Sequence, residues 1–309
     1  MDYQWYPGHM TKARRMMQEN IALIDLLIEL TDARAPQSGG NPDIDTLAKG
    51  KSRIIVLNKA DLADSSVTDA WRAHYEAQGI LTAAADSRKG SGVRQLKPLI
   101  DRACAEKIER NRRRGILNRP VRAMIAGIPN VGKSTFINSF AGKAVAKTGD
   151  KPGVTKGKQW IRLNKNVELL DTPGILWPKF DDQVIGIRLA ILGSIRDEIT
   201  DEGELAVWLI RYLREQYPGV LEARYGAGLL PDEDGNGADT GSGAGQEGPG
   251  LQDALLMGQM DPALRILNEI AVRRGCLKAG GIADPEKASR AVIDDFRAGR
   301  LGKITLEKI

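Results

Sequence analysis

A loop built to hold phosphates begins at residue 127 of this 309-residue chain, and it fixes much of what the surrounding chain can fold into. Gly127-Ile128-Pro129-Asn130-Val131-Gly132-Lys133-Ser134 fits G-x-x-x-x-G-K-[ST]. In that pattern backbone amides cradle phosphates, the lysine reaches the outer phosphates and the hydroxyl binds Mg²⁺. Such a loop joins a strand to a helix: apolar Val121–Ala126 runs into Gly127, and a helical pattern follows Lys133. Two further motifs end β-rich runs. Val167–Leu170 delivers Asp171-Thr172-Pro173-Gly174, a D-x-x-G, and Arg53–Leu57 delivers Asn58-Lys59-Ala60-Asp61, the guanine-selective N-K-x-D. Each motif is short enough to arise by chance. Three of them at three strand ends, where open α/β sheets bind ligands, point to a guanine-nucleotide site. N-K-x-D precedes the phosphate loop instead of following it, so the parts of a GTPase stand in rotated order.

The periodicity of the rest fills in an α/β architecture. A basic amphipathic helix is expected over Pro7–Ala22, strands over Leu23–Thr31, Arg53–Leu57 and Ile80–Ala84, and helices over Asp64–Ala77 and Val93–Arg114. Strands alternating with helices imply a mostly parallel sheet with helices on both faces. Lys158–Leu163 and Asn166–Leu170 read as paired strands, and the lysine- and glycine-rich Gly142–Gly157 before them as the first switch. Beyond Gly174 the strand signals stop. Val184–Leu192, Leu205–Glu215, Asp261–Arg274 and Pro285–Ala298 are helical in pattern, so the expected division is a GTPase domain over 1–178 and a smaller all-helical domain over 179–309. Within the latter, 226–250 is too rich in Gly and acids to bury a core and reads as a flexible insert.

The chemistry of the motifs assigns roles. Lys133 neutralises charge on the β- and γ-phosphates, Ser134 ligates Mg²⁺, and the amides of Asn130, Val131, Gly132 and Lys133, with Thr135 beyond, hold the phosphates at a helix N-terminus. Asp171 is expected to reach Mg²⁺ through water and Gly174 to donate its amide to the γ-phosphate. Thr155 is the candidate switch threonine for the Mg²⁺ shell, against the alternative of a turn residue. Asp61 can accept both N1–H and the exocyclic amine of guanine, donors that adenine lacks at that edge. Asn58 and Lys59 would brace the loop and cover the ring.

The whole pattern resembles the circularly permuted GTPases of the YlqF type, the ribosome biogenesis GTPase A family. Trp5-Tyr6-Pro7-Gly8-His9-Met10-Thr11-Lys12-Ala13-Arg14 is similar to its W-[FY]-P-G-H-M-x-K-A-R signature, and Asp32-Ala33-Arg34-Ala35-Pro36 to its D-A-R-x-P. Arg274-Gly275-Cys276-Leu277, Lys287-Ala288-Ser289-Arg290 and Asp295–Gly302 resemble its tail, and the insert at 226–250 departs from it. Ala85-Asp86-Ser87 looks like the permuted counterpart of the second base-contacting loop. Where a Ras-like enzyme has a water-orienting glutamine this chain has Ile175, which cannot orient water. The resemblance supplies two substitutes: His9 as a catalytic group, and Asn130 with a bound K⁺. A structural hydrogen-bonder and a loop brace are the respective alternatives.

Charge and composition bound the partners. The net charge of +5 is unevenly spread: Lys143, Lys147, Lys151, Lys156, Lys158, Arg162 and Lys165 face only Asp150 within Gly142–Asn166. Arg110, Arg112, Arg113, Arg114, Arg119 and Arg122 form a second cluster. Either run fits a solvated face or an RNA-phosphate footprint, and the resemblance favours RNA. No apolar run approaches the ~18 residues of a membrane span, and two distant cysteines, Cys104 and Cys276, read as reduced structural thiols. A cytoplasmic monomer is expected, binding GTP or GDP with Mg²⁺, hydrolysing GTP, and acting on the large ribosomal subunit and its rRNA rather than on DNA. A GTPase serving another RNA or a protein partner, and a nucleotide-binding scaffold with negligible turnover, are the alternatives.

Overall fold

The computed structural model describes residues 15–117, 119–145, 159–163, 165–172, 182–195, 197, 200–226, 228 and 261–309. Six strands in it form one sheet: β1 (Leu26–Asp32), β2 (Ser52–Asn58), β3 (Leu81–Ala85), β4 (Val121–Gly127), β5 (Gln159–Arg162) and β6 (Val167–Asp171), in the order β3-β2-β1-β4-β6-β5. All neighbours are parallel except β5 against β6. All seven residues of β1 are buried, as a central parallel strand covered on both faces requires. Of its two acids, Glu29 is held by Arg53 of β2 and by the Asn41 amide.

Around the sheet lie α1 (Pro42–Leu47), α2 (Ser65–Ala77), α3 (Leu96–Ala103), α4 (Ala105–Arg113), α5 (Lys133–Ala141) and α6 (Gln183–Ile191). Residues 15–20 are also helical, the described end of the helix expected from Pro7. Two expectations change. The single helix expected over Val93–Arg114 is a 3-10 turn followed by α3 and α4, because buried Cys104 leaves helical geometry at ψ 9° and its carbonyl restarts the ladder at Ile108. Leu23, expected as the first residue of the strand, closes a 3-10 turn over Ile21–Leu23, and β1 begins at Leu26.

Strand order explains where a ligand can sit. The chain starts in the middle of the sheet at β1, runs outward through β2 and β3, returns to β4 beside β1, and then fills the opposite edge. The direction of winding reverses between β1 and β4, and the carboxyl ends at such a reversal open a crevice. Register aligns those ends: Asp32 pairs with Asn58, Asn58 with Ala85, Leu30 with Gly127, and Ile125 with Asp171.

The chain divides into two compact units, one of Met1–Ile199 with Lys303–Ile309 and the other of Thr200–Gly302. The sequence pattern places a single division at 178/179; in the structure α6 and the final seven residues belong with the sheet. The second unit holds α7 (Glu202–Gln216), α8 (Val220–Tyr225), α9 (Pro262–Arg273) and α10 (Pro285–Arg297). Asp201, Asp261 and Asp284 cap α7, α9 and α10 through side-chain acceptance of first-turn amides. α7 packs on α9 and α10, and buried Asp295 gathers Arg224, Tyr225 and Arg300. Of the stretch 226–250, only Gly226 and Gly228 fall within the described residues.

Candidate guanine-nucleotide site

The phosphate loop leaves β4 under tight steric control. A Cβ on Gly127 would stand 2.5 Å from the Leu30 carbonyl oxygen, so only glycine lets β4 pass β1 at this point. At Gly132, φ is +95° and a Cβ would meet Asn58 Nδ2 at 2.6 Å. Asn130 takes φ +58°, a left-handed geometry that asparagine tolerates better than most side chains. Its Nδ2 donates to the Gly193 carbonyl at 2.5 Å, tying the loop to the chain just beyond α6. Buried Lys133 donates from Nζ to the Gly127 and Ile128 carbonyls at 3.1 and 2.9 Å, which places the ammonium inside the loop's curve. Val131 is buried, while Ser134 and Thr135 are half-buried in the first turn of α5. The N-terminal amides and partial positive charge of that helix are therefore aimed at the same hollow as the ammonium, a fit for a polyphosphate.

The base-side loops are locked onto this cradle. Asn58 donates from Nδ2 to the Val131 carbonyl at 2.8 Å and accepts from Ser87 Oγ at 2.5 Å, so one buried amide joins the phosphate loop, the end of β2 and the loop after β3. The Ala60 amide donates to the Ala85 carbonyl. Asp86 accepts from the amides of Arg88 and Lys89, which curls its loop. Lys59, at φ +58°, donates to the Asn130 carbonyl at 2.8 Å and lies 3.0 Å from Asp32 Oδ2. Half-buried Asp61 has no hydrogen-bond partner among the described residues, which leaves both carboxylate oxygens for a base.

Asp32 is the electrostatic anchor under these loops. Arg34 grips it through Nε and Nη2, each at 2.9 Å, and both side chains are 2% exposed. Burial by itself would raise the Asp32 carboxyl, but the charges of Arg34 and Lys59 and the hydrogen bonds of Arg34 hold it well below the usual carboxylate range. For Lys59 the balance is reversed: burial lowers the ammonium, and Asp32 offsets only part of that.

The remaining candidates divide sharply. Asp171 ends β6 opposite Ile125, and the next residue, Thr172, donates from Oγ1 to the Ile125 carbonyl at 2.6 Å, fixing the start of the D-x-x-G against β4. His9, Thr155, Gly174 and Ile175 lie outside the described residues, as does the Asp171 side chain. Asn58, Lys59, Asp61, Ala85, Asp86 and Ser87 are brought together with Asn130–Thr135 along one edge of the sheet. Sequence reasoning misses the tether role of Asp32 and Arg34, which it sees only as part of a signature. The available signal is that β1 ends at Asp32 on the same edge as Asn58. Nothing in the sequence marks Gly193 as the partner of Asn130.

Comparison with known proteins fits this geometry. Residues 122–217 match a family model described as a 50S ribosome-binding GTPase. The chain is 44% identical over 308 residues to ribosome biogenesis GTPase A of Bacillus licheniformis, covering 100% of this chain and 99% of that protein. It is 30% identical to the bovine mitochondrial ribosome-associated GTPase 1, covering 99% of this chain and 88% of that protein. The GDP-bound structure of YlqF from Thermotoga maritima shares the fold with a TM-score of 0.59 at 24% identity, over 95% of this chain and 99% of that one. With its rotated motifs assembled on one sheet edge and this likeness running the length of the chain, the protein belongs to the ribosome biogenesis GTPase A family and hydrolyses GTP.

Proposed function

We propose that this GTPase is an assembly factor for the large ribosomal subunit, docking on ribosomal RNA with GTP bound and leaving when the GTP is spent. The observation that carries the reading is the full-length identity to a protein named for ribosome biogenesis. The description of the matching family model favours the large subunit. Bacterial ribosomes are assembled in the cytoplasm, the compartment this reading implies.

The distribution of cations supports an RNA partner. Arg110, Arg112 and Arg114 are exposed at the end of α4, without an ion-pair partner among the described residues. Arg88, Lys89, Arg94 and Lys97 line an open cleft of about 1000 Å³ between the loop after β3 and α5. Clustered cations without ion-pair partners among the described residues suit a phosphate backbone, whose condensed ions they displace.

Within the site, the Lys133 ammonium and the amides opening α5 hold the β- and γ-phosphates, and Asp61 takes the two guanine donors beneath the Lys59 stem. Ser134, Asp171 and Thr155 would hold Mg²⁺, which supplies charge neutralisation at the phosphates. Gly174 donates its amide to the γ-phosphate. Since Ile175 cannot orient water, either His9 does so or K⁺ at Asn130 supplies the positive charge. Sedimentation with large ribosomal subunits tests the reading, comparing a non-hydrolysable GTP analogue, GDP and no nucleotide. Retention strongest with the analogue is expected; equal retention in all three refutes GTP-dependent docking.

A further inference from the structure

The last seven residues leave the helical unit and lie in the sheet unit, directly behind the base-side loop. The Ile304 amide donates to the Leu62 carbonyl at 3.1 Å, and Thr305 Oγ1 accepts from the Asp64 amide at 3.1 Å. These two bonds bracket the segment immediately after Asp61. On the other side the Leu306 amide donates to the carbonyl of Arg34, the residue that grips Asp32 and, through it, Lys59. The tail therefore fastens N-K-x-D from both flanks.

Glu307 is what holds the tail there. Its carboxylate is 3% exposed and accepts from the Ser38 amide at 2.9 Å, from Ser38 Oγ at 2.6 Å and from Arg188 Nη1 at 3.0 Å. Its carbonyl accepts from Trp71 Nε1 at 3.1 Å. Burying a carboxylate is costly unless donors of this kind surround it. The donors come from the loop after β1, from α2 and from α6, and no part of them belongs to the phosphate cradle. Ile304, Thr305 and Leu306 are buried as well, so the strap is seated by packing along its length.

We propose that the C-terminal strap, with Glu307 as its anchor, is a positioning element for guanine: it fixes the height and orientation of the Asp61 loop without touching nucleotide. This rests on the reading of Asp61 as the base reader. Loosening the strap then weakens the bonds to guanine's N1–H and exocyclic amine while the phosphate contacts persist. Preference for GDP over IDP, which lacks the amine, is the property such a change erodes. A merely structural role would lower the affinity of both nucleotides in equal proportion.

The experiment measures release of fluorescent GDP and competition by IDP on the full chain, comparing wild type, Glu307→Gln, Glu307→Ala and Asp61→Asn. For Glu307→Ala, GDP release faster by about tenfold, the equivalent of one hydrogen bond loosened, is expected together with a smaller GDP/IDP preference. Glu307→Gln keeps an acceptor for Ser38 and should lie between. A folded Glu307→Ala protein with wild-type GDP/IDP preference overturns the proposal, whether or not its GDP release is faster. If Glu307→Ala fails to fold, Thr305→Val decides: it removes the acceptor of the Asp64 amide, and faster GDP release with a smaller GDP/IDP preference supports the strap, whereas an unchanged preference overturns it. Asp61→Asn separates the premise from the inference. Unchanged base preference in that variant removes Asp61 as the reader, whatever the strap variants do.

Discussion

In the proposed reading Asp61 carries selectivity: its carboxylate is half-exposed, unpaired among the described residues, and set on a loop clamped by Asn58 and Lys59. Asp61→Asn should weaken GTP binding by about 10⁴ or more, the range reached when a site built around hydrogen bonds loses its match, and should favour xanthine nucleotide, whose second carbonyl suits an amide. Competition titrations with GTP and XTP measure both effects. Asp32 makes a different prediction, in stability. Its carboxyl is depressed in the folded protein, so its contribution is present above the ordinary carboxylate range and lost as pH falls through the lowered value. Asp32→Asn leaves buried Arg34 without its counter-ion, at a cost of about 3–5 kcal/mol near neutral pH. Denaturant unfolding from pH 7 to pH 3 should show that deficit constant down to about pH 5 and shrinking below about pH 4, where the unfolded-state carboxyl begins to protonate while the folded one stays charged. At this scale the motif residues are legible because their spacing is dictated by the ligand. Glu307 and Gly193 are not, since their partners lie 269 and 63 residues away and answer to folding geometry alone.

The elements themselves are largely written in the sequence: each strand run of alternating or continuous apolar residues became a strand, and the capping aspartates opened their helices. What the pattern cannot show is the break at Cys104, where one residue at ψ 9° interrupts a periodicity that otherwise continues. Nor can it show that the tail returns to the sheet, because pairing distant segments leaves no local signature. The phosphate loop is the element most exposed to substitution. Gly132→Ala would place a Cβ at φ +95° and 2.6 Å from Asn58 Nδ2, so strain and displacement of the clamp act together. A destabilisation of about 1–3 kcal/mol and loss of GDP binding are expected, read by thermal unfolding and equilibrium titration. The basic elements are tested by salt. Replacing Arg110, Arg112 and Arg114 with Gln should flatten the salt dependence of ribosomal-particle binding by roughly 0.7–0.9 log unit for each phosphate left without its cation, with GDP affinity unchanged. An unaltered slope would make that end of α4 a solvated face.

For the molecule as a whole, the consequence of the rotated order is that D-x-x-G is followed by α6 and then the helical unit, with no further strand of the sheet among the described residues. A switch placed there is adjacent in the chain to what it would move, and α6 is also where Arg188 meets Glu307 and where the following Gly193 carbonyl holds Asn130. Phosphate loop, α6 and base-side strap thus meet around one segment, and in the proposed reading an RNA particle that orders the switches acts on the catalytic groups through it. Free protein should hydrolyse GTP slowly, near the ~10⁻⁴ to 10⁻³ per second of an unassisted Ras-like enzyme, because Ile175 leaves the attacking water unoriented. Particle binding should raise that rate. If His9 provides the missing contact, His9→Ala should remove most of the stimulation while GTP affinity and docking stay intact, as for an interaction made only in the transition state. If K⁺ at Asn130 provides it, exchanging K⁺ for Na⁺ at constant ionic strength should slow the wild type, and Asn130→Ala should erase the difference. Because Asn130 also donates to Gly193, its variant should be paired with a GDP titration, so that loss of the loop brace is told apart from loss of the cation. Full particle-stimulated turnover in His9→Ala sinks the histidine, and equal rates in K⁺ and Na⁺ sink the cation. If both fail, the group that completes the site comes from the particle, and the GTPase is finished only by the substrate it helps to build.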